Sequence, residues 1–255
     1  MILAVDIGNT NVVMGCMQDE KILCVERLAT DTGKTSGEYA ILIRAVLEIA
    51  GISLSGISGS IISSVVPQLN GVMSDAIKKL TGGRPKIVGP GLKSGMNIAI
   101  DNPGQLGSDL LVDAVAAAEA YPLPLIVIDM GTATTLSVVN AKRQYIGGMV
   151  LPGLRTGLNS LVSGTSLLPS ITLEAPKKAI GRNTIDAMKS GAIYGTASML
   201  DGLIDRVEEE LGQTCTLVAT GGLAGMVIRH CRHEILLDDD LLLKGLRLIY
   251  NKNCI

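Results

Sequence analysis

The feature that most limits what this chain can fold into is a pattern that occurs twice. Residues Ile2-Leu3-Ala4-Val5-Asp6-Ile7-Gly8-Asn9-Thr10-Asn11 run an apolar stretch into an aspartate, then a glycine, then hydroxyl and amide side chains. Residues Leu125-Ile126-Val127-Ile128-Asp129-Met130-Gly131-Thr132-Ala133-Thr134-Thr135 do the same. Such an apolar run suits a strand buried on both faces. The aspartate at its end suits a cation, and a tight turn behind it can aim backbone N–H groups at a phosphate. Gly8 can take a backbone conformation closed to other residues, and it lets an anion approach the main chain. Taken alone, the first stretch reads equally well as a strand with an Asn-rich turn.

The same order of elements is expected around both copies. Strands over 2–6, 11–17 and 21–28 precede a helix over 37–50, capped by Ser36 and ended by Gly51. A strand over 57–63, a helix from Pro67 to Gly82-Gly83 and a strand over 86–88 follow. Gly89 to Gly107 reads as a loop, and 109–121 as an Ala-rich helix closed by Pro122. The order then restarts, with strands over 125–129, 136–139 and 144–150. A mixed segment over 153–182 has no counterpart in the first half. Next come a long helix over 184–211, a strand over 215–219, a helix over 222–229, a strand over 234–237 and a last helix over 240–250. Repetition at this length is a duplicated domain. Two α/β halves, 1–113 and 114–255 with an insertion near 153–182, would leave a cleft into which strand ends point.

Composition narrows the partners. A hydrophobic fraction of 47% supports a sizeable core, and Phe 0 with Trp 0 makes that core aliphatic. A base-stacking surface for nucleic acid is therefore not expected. A net charge of −2 argues against electrostatic binding to DNA or to a membrane. The five cysteines, Cys16, Cys24, Cys215, Cys231 and Cys254, form no CxxC pair and read as free thiols of a reducing cytosol. His230-Cys231-Arg232-His233 reads as a helix-to-strand connection, since residues so close in sequence rarely meet one tetrahedral metal. Without a signal segment or a bilayer-length apolar run, a cytoplasmic location is expected.

Two Asp-x-Gly-x-Thr turns suit a nucleoside triphosphate. Two carboxylates beside a polyanion would repel it without cations, so Asp6 and Asp129 imply Mg²⁺ and a further cation. Thr220-Gly221-Gly222, closing one strand and opening a helix, lets a ring or ribose lie close to the backbone. Asp109 opens a helix, where the positive dipole end favours an ionised carboxylate of low pKa. A helix N-terminal acid is also a common structural use. Thr184 precedes the long helix and can cap it. Asp238-Asp239-Asp240 reads as helix caps and dipole partners.

These residues resemble the ribonuclease-H-like, actin-like ATPase and sugar-kinase fold. Within it the chain is similar to the type III pantothenate kinase family over essentially its whole length. The marks are DIGNTN at 6–11, Asn102-Pro103 with Gly107-Ser108-Asp109, DMGTATT at 129–135, Gly147-Gly148 with Pro152-Gly153, and Gly181-Arg182-Asn183-Thr184. The resemblance implies transfer of the ATP γ-phosphate to the primary hydroxyl of pantothenate, the first step of coenzyme A synthesis. It implies Asp109 as the base, and Asp6, Gly8, Asn9, Thr10, Asn11, Thr132, Thr220, Gly221 and Gly222 at ATP. Asp6 would hold Mg²⁺ through water, and Asp129 a monovalent cation (K⁺ or NH₄⁺). Gly107, Ser108 and Thr184, with positions Ile100 and Leu110, would face the acceptor, and the partner would be a second copy in a homodimer. The chain departs from the family at Leu110, where an Arg is usual, and at Ile100, where a Tyr is usual. Both changes fall on the acceptor end, and Lys93 and Arg155 are candidates to restore the lost charge. The departures keep two alternatives open: a non-catalytic, regulatory nucleotide-binding relative, and a kinase for another small hydroxyl compound.

Overall fold

A computed structural model describes residues 1–254. They divide into two compact units. Unit 1 holds Met1–Met96, Asp101–Ala116 and Asp240–Ile255, and unit 2 holds Asn97–Ile100 and Ala117–Asp239.

In unit 1, β1 (Ile2–Ile7), β2 (Asn11–Gln18) and β3 (Lys21–Ala29) form an antiparallel meander. β4 (Gly59–Ser64) and β5 (Lys86–Ile87) add parallel strands on the other side of β1. The sheet order is β3-β2-β1-β4-β5. Alternation then sorts the side chains by face. Leu3, Val5, Ile7, Val12, Met14 and Ile62 enter a core with Tyr39, Ile43 and Leu47 of α1 (Ser36–Ile49) and Met73 and Ile77 of α2 (Pro67–Thr81). Full burial of each such side chain contributes roughly 1.5–3 kcal/mol. α1 begins one residue earlier than expected. Thr35, not Ser36, is the cap, because Glu38 lies three residues on and closes a capping box with it.

Unit 2 repeats the plan. β7 (Leu125–Met130), β8 (Ala133–Val139) and β9 (Gln144–Pro152) form the meander, and β10 (Thr216–Thr220) and β11 (Leu236–Leu237) run parallel to β7. Its order is β11-β10-β7-β8-β9-β6, so β9-β8-β7-β10-β11 reproduces the order of unit 1. The extra strand β6 (Asn97–Ile98) pairs with β9 from within the stretch expected to be a plain loop. Ile126, Ile128, Leu136 and Val138 face Ile193, Leu200 and Ile204 of α5 (Thr184–Leu211). Here too the cap moves by one residue: Asn183 accepts from the Asp186 amide, and Thr184 is the first helical residue. The mixed segment contains α4 (Leu154–Ser163). The chain after it is fastened to α5 by Lys189 to Glu174, by the Ser190 hydroxyl to the Ala179 carbonyl, and by Tyr194 Oη to Pro176 O at 3.2 Å. The run from Gly222 forms α6 (Ala224–Val227) and a 3-10 turn through His230.

The expected boundary at 113/114 fails at the C-terminus. α7 (Leu241–Lys252) belongs to unit 1. Its apolar face buries Leu241, Leu243, Leu246 and Ile249, and three glycines make room for it. A Cβ on Gly15 would meet Leu243 Cδ1 at 2.6 Å, one on Gly59 Tyr250 Oη at 1.7 Å, and one on Gly245 the Val112 carbonyl at 2.1 Å. The acid run before α7 is not a set of caps. Asp240 sits at the N-cap without a side-chain cap bond, and buried Asp238 accepts from Tyr121 Oη at 2.9 Å. Burial, reinforced by that carboxylate, pushes the Tyr121 phenol up to about 12.

Candidate active site

In unit 1 the chemistry gathers where β1 and β4 end and α3 (Ser108–Ala120) begins. Gly8 N donates to Asn11 O at 3.0 Å, and Thr30 Oγ1 donates to Gly8 O at 2.7 Å. Gly8 does not use left-handed backbone. It is confined instead by space, since a Cβ would lie 3.1 Å from Asn11 O. The turn presents Asn9, Thr10 and Asn11 as exposed residues above Asp6, which suits a phosphate seat. Asp6 pairs in register with Ser63 of β4, so both side chains share one face of the sheet.

Asp109 lies in the first turn of α3. Its Oδ1 accepts from Leu110 N at 2.9 Å. Burial nevertheless raises its carboxyl above the usual range, outweighing the bonds from the Leu110 amide and its own. The low pKa expected from the helix dipole is thus overturned: desolvation penalises the charge more than two amides reward it. Gly107 leaves room for the same carboxylate, since a Cβ there would stand 2.5 Å from Asp109 Oδ1. The result is a carboxylate held in one place with raised basicity, as a general base needs.

In unit 2 the second and third motifs come together. Thr220 pairs in register with Asp129, as does Thr135 from the other side. Gly221 has φ +93°, and a Cβ on it would meet Asp129 Oδ1 at 2.6 Å and Met130 N at 2.8 Å. Only glycine lets the third motif close over the second. The Gly131-Thr132 turn is braced from α4: Gly153 N and Thr156 Oγ1 both donate to Thr132 O, at 3.2 and 2.8 Å. Gly221→Ala is expected to destabilise the protein by roughly 2–5 kcal/mol, from left-handed backbone and overpacking together. A denaturation midpoint equal to wild type would show that the loop yields.

A groove of about 820 Å³ lies beside these turns, between α4 and α5. Leu154, Leu158, Leu161 and Met188 give it apolar walls, and Thr184 and Arg182 line it. Arg182 is the one charged side chain among the described lining residues. Neither candidate for the missing cation is there. Lys93 belongs to unit 1, where its main chain bonds to the Asn253 amide at 3.1 and 2.9 Å, and Arg155 of α4 is outside the lining. Sequence reasoning quoted Arg182 only as part of Gly181-Arg182-Asn183-Thr184. What it missed is that Gly181 folds onto α5, with Ala187 N at 2.2 Å from a Cβ position, turning the next residue into the groove wall. Of the acceptor-side positions, Ile100 falls in unit 2 and Gly107 to Leu110 in unit 1.

Metal chemistry fits the residues present. The Oγ1 of Thr135, paired with Asp129, is buried without a hydrogen-bond partner and offers an oxygen ligand beside that carboxylate. Among the described residues no three His, Cys, Asp or Glu side chains gather as a metal cage. His230 to His233 form the expected connection, with His233 Nε2 at 2.8 Å from Asp205 Oδ1. The five cysteines are free thiols, and no helix among the described residues is long and apolar enough to cross a membrane.

The repeated sheet order and its Asp-Gly-Thr turns define a protein of the actin-like ATPase and sugar-kinase fold. The chain is similar to the activator of the 2-hydroxyisocaproyl-CoA dehydratase from Clostridium difficile, solved with bound ADPNP. The TM-score is 0.55 at 13% identity, over 98% of this chain and 93% of that one, a likeness of fold alone. The chain belongs to the type III pantothenate kinase family, whose model matches residues 2–206. It is 44% identical to the type III pantothenate kinase of Halalkalibacterium halodurans over 99% of this chain and all of that one. It is 39% identical to that of Exiguobacterium sibiricum, again over 99% and 100%.

Proposed function

We propose that this protein transfers the γ-phosphoryl group of ATP to the primary hydroxyl of pantothenate, giving 4'-phosphopantothenate and ADP. The observation that carries the reading is Asp109, a carboxylate of raised pKa held against Gly107 at the head of α3. It takes the hydroxyl proton as the oxygen bonds to phosphorus and ADP leaves. Loose phosphoryl transfer needs mainly positioning and neutralised charge. Asp6, Gly8, Asn9, Thr10 and Asn11, with Thr132, Thr220, Gly221 and Gly222, seat the nucleotide through turn amides and hydroxyls. Asp6 would hold Mg²⁺, and Asp129, with Thr135, would hold K⁺ or NH₄⁺. When bound, these cations neutralise the phosphate oxygens. Thr184 contacts the acceptor, and Arg182 supplies the cation for its carboxylate that Leu110 no longer provides.

The test is pantothenate-dependent ADP release with Mg²⁺, in the presence and absence of K⁺. Release that requires all three supports the assignment. ATP binding without acceptor-dependent release would reject it and leave a regulatory nucleotide-binding protein. Release with another small alcohol in place of pantothenate would reassign the acceptor.

The functional unit is a homodimer. Leu161 and Ile185 are 46% exposed, Leu167 90% and Ile180 82%, all on or beside α4 and α5. Exposed apolar side chains on and beside these two helices support that reading. Light scattering is expected to give twice the chain mass, and Leu167→Asp with Ile180→Asp is expected to give a single-chain mass and weaker acceptor binding. A single-chain mass for the wild type would reject the dimer.

A further inference from the structure

The Ser108 hydroxyl, expected to face the acceptor, is engaged within unit 1. It accepts from Ser64 N at 2.9 Å, and it lies 3.0 Å from Ser64 O and 3.0 Å from Ser63 Oγ. A hydroxyl has one proton and two acceptor lone pairs. One assignment uses all three contacts: Ser108 donates to Ser64 O and accepts from the Ser64 amide and the Ser63 hydroxyl. No capacity is left for a ligand. Ser63 is fully buried and stands in register with Asp6 on the same face of the sheet. The residue after Ser108 is Asp109.

We propose that Ser63 and Ser108 are a positioning pair, which ties the first turn of α3 to the end of β4 and so fixes Asp109 relative to the strand that carries Asp6. The proposal rests on Asp109 being the base. Two hydroxyls locked between sheet and helix leave the helix end little freedom to slide. Displacement of a catalytic group by about 1 Å can cost on the order of 10²-fold in rate. Ser63 is fully buried and bonded to Ser108, so its influence on turnover runs through Ser108. A purely structural pair would affect folding and spare the chemistry, while an acceptor ligand would affect KM.

Ser63→Ala and Ser108→Ala are compared with the wild type for kcat, pantothenate KM, ATP affinity, thermal midpoint and the pH profile of kcat. Each variant is expected to lose roughly 10- to 100-fold in kcat. KM and ATP affinity hold, and the acid limb of the profile shifts because the setting of Asp109 has changed. The double variant should be no worse than Ser108→Ala, because the two hydroxyls act as one unit. Ser108→Thr, which keeps the hydroxyl, should recover most of the rate. A raised KM with unchanged kcat would make Ser108 an acceptor ligand and overturn the proposal. So would a lowered thermal midpoint with unchanged kcat. If Ser108→Ala does not fold, Ser63→Ala carries the test, since it leaves both Ser108 bonds to Ser64 in place. Wild-type protein without pantothenate-dependent turnover would reject the base itself. Wild-type turnover with an unaffected Ser63→Ala would reject only the pair.

Discussion

Asp109→Asn is expected to lower kcat on the order of 10²- to 10⁴-fold, the usual share of a general base, while ATP affinity survives. The amide keeps the shape of the carboxylate and its bond from Leu110 N but cannot take a proton. A variant with full pantothenate-dependent ADP release would remove Asp109 from the mechanism. The pH dependence has a definite sign. Burial raises the folded-state pKa of Asp109, so its protonated form is favoured by folding. The stability this contributes is fully present below the unfolded carboxylate pKa of about 4 and is lost as pH rises through the folded value. At neutral pH the ionised group opposes folding. Asp109→Asn should therefore be at least as stable as the wild type at neutral pH, and the difference should shrink as the solution is acidified. Denaturant midpoints across that range check this. The acid limb of wild-type kcat should lie above the usual carboxylate range for the same reason.

Arg182→Met should raise the KM for pantothenate by roughly 10- to 100-fold, the worth of a hydrogen bond to a charged group, with kcat and ATP affinity little changed. The substitution keeps length and apolar stem, so the groove between α4 and α5 stays lined. A second arm is an acceptor in which an alcohol replaces the carboxylate. The wild type should handle it poorly, and Arg182→Met should no longer distinguish it from pantothenate. An unchanged KM in the variant would exclude Arg182 as the carboxylate partner.

Much of the fold was legible because local chemistry agreed with it. Both apolar runs ending in aspartate became the central strands β1 and β7, and the turns after them fell where Gly8 and Gly131 stand. The ends of α1, α3 and α5 were legible to one residue, Glu38 and Asn183 moving the caps of α1 and α5 by a single position, whereas α6 is shorter than the expected 222–229 and α7 runs on to Lys252. α4 was not separated out of the mixed segment, although Leu154, Leu158 and Leu161 recur at helical spacing; the glycine, serine and threonine between them weaken the helix signal. The placement of α7 was hidden for another reason. What admits it to unit 1 is the lack of side chains on Gly15 and Gly59, far away in sequence.

The site divides along the same line. Linear pattern singled out the residues proposed here for the phosphates and their cations, because a strand end, a turn and the side chains between them are set within about ten residues. Asp6, Asp129, Thr220 and Gly221 are read that way. The family resemblance named Asp109, while the helix-end pattern gave the wrong direction for its pKa, because a helix end is local and burial is not. Tertiary structure alone decided three matters. It spent the Ser108 hydroxyl on Ser63 and Ser64, set Arg182 into the groove wall, and closed Gly221 over Asp129. For Ser108 and Gly221 the deciding quantity is a distance between chain segments far apart in sequence, and for Arg182 the packing of Gly181 on α5; hydrogen-bond capacity, desolvation and van der Waals exclusion all depend on such distances.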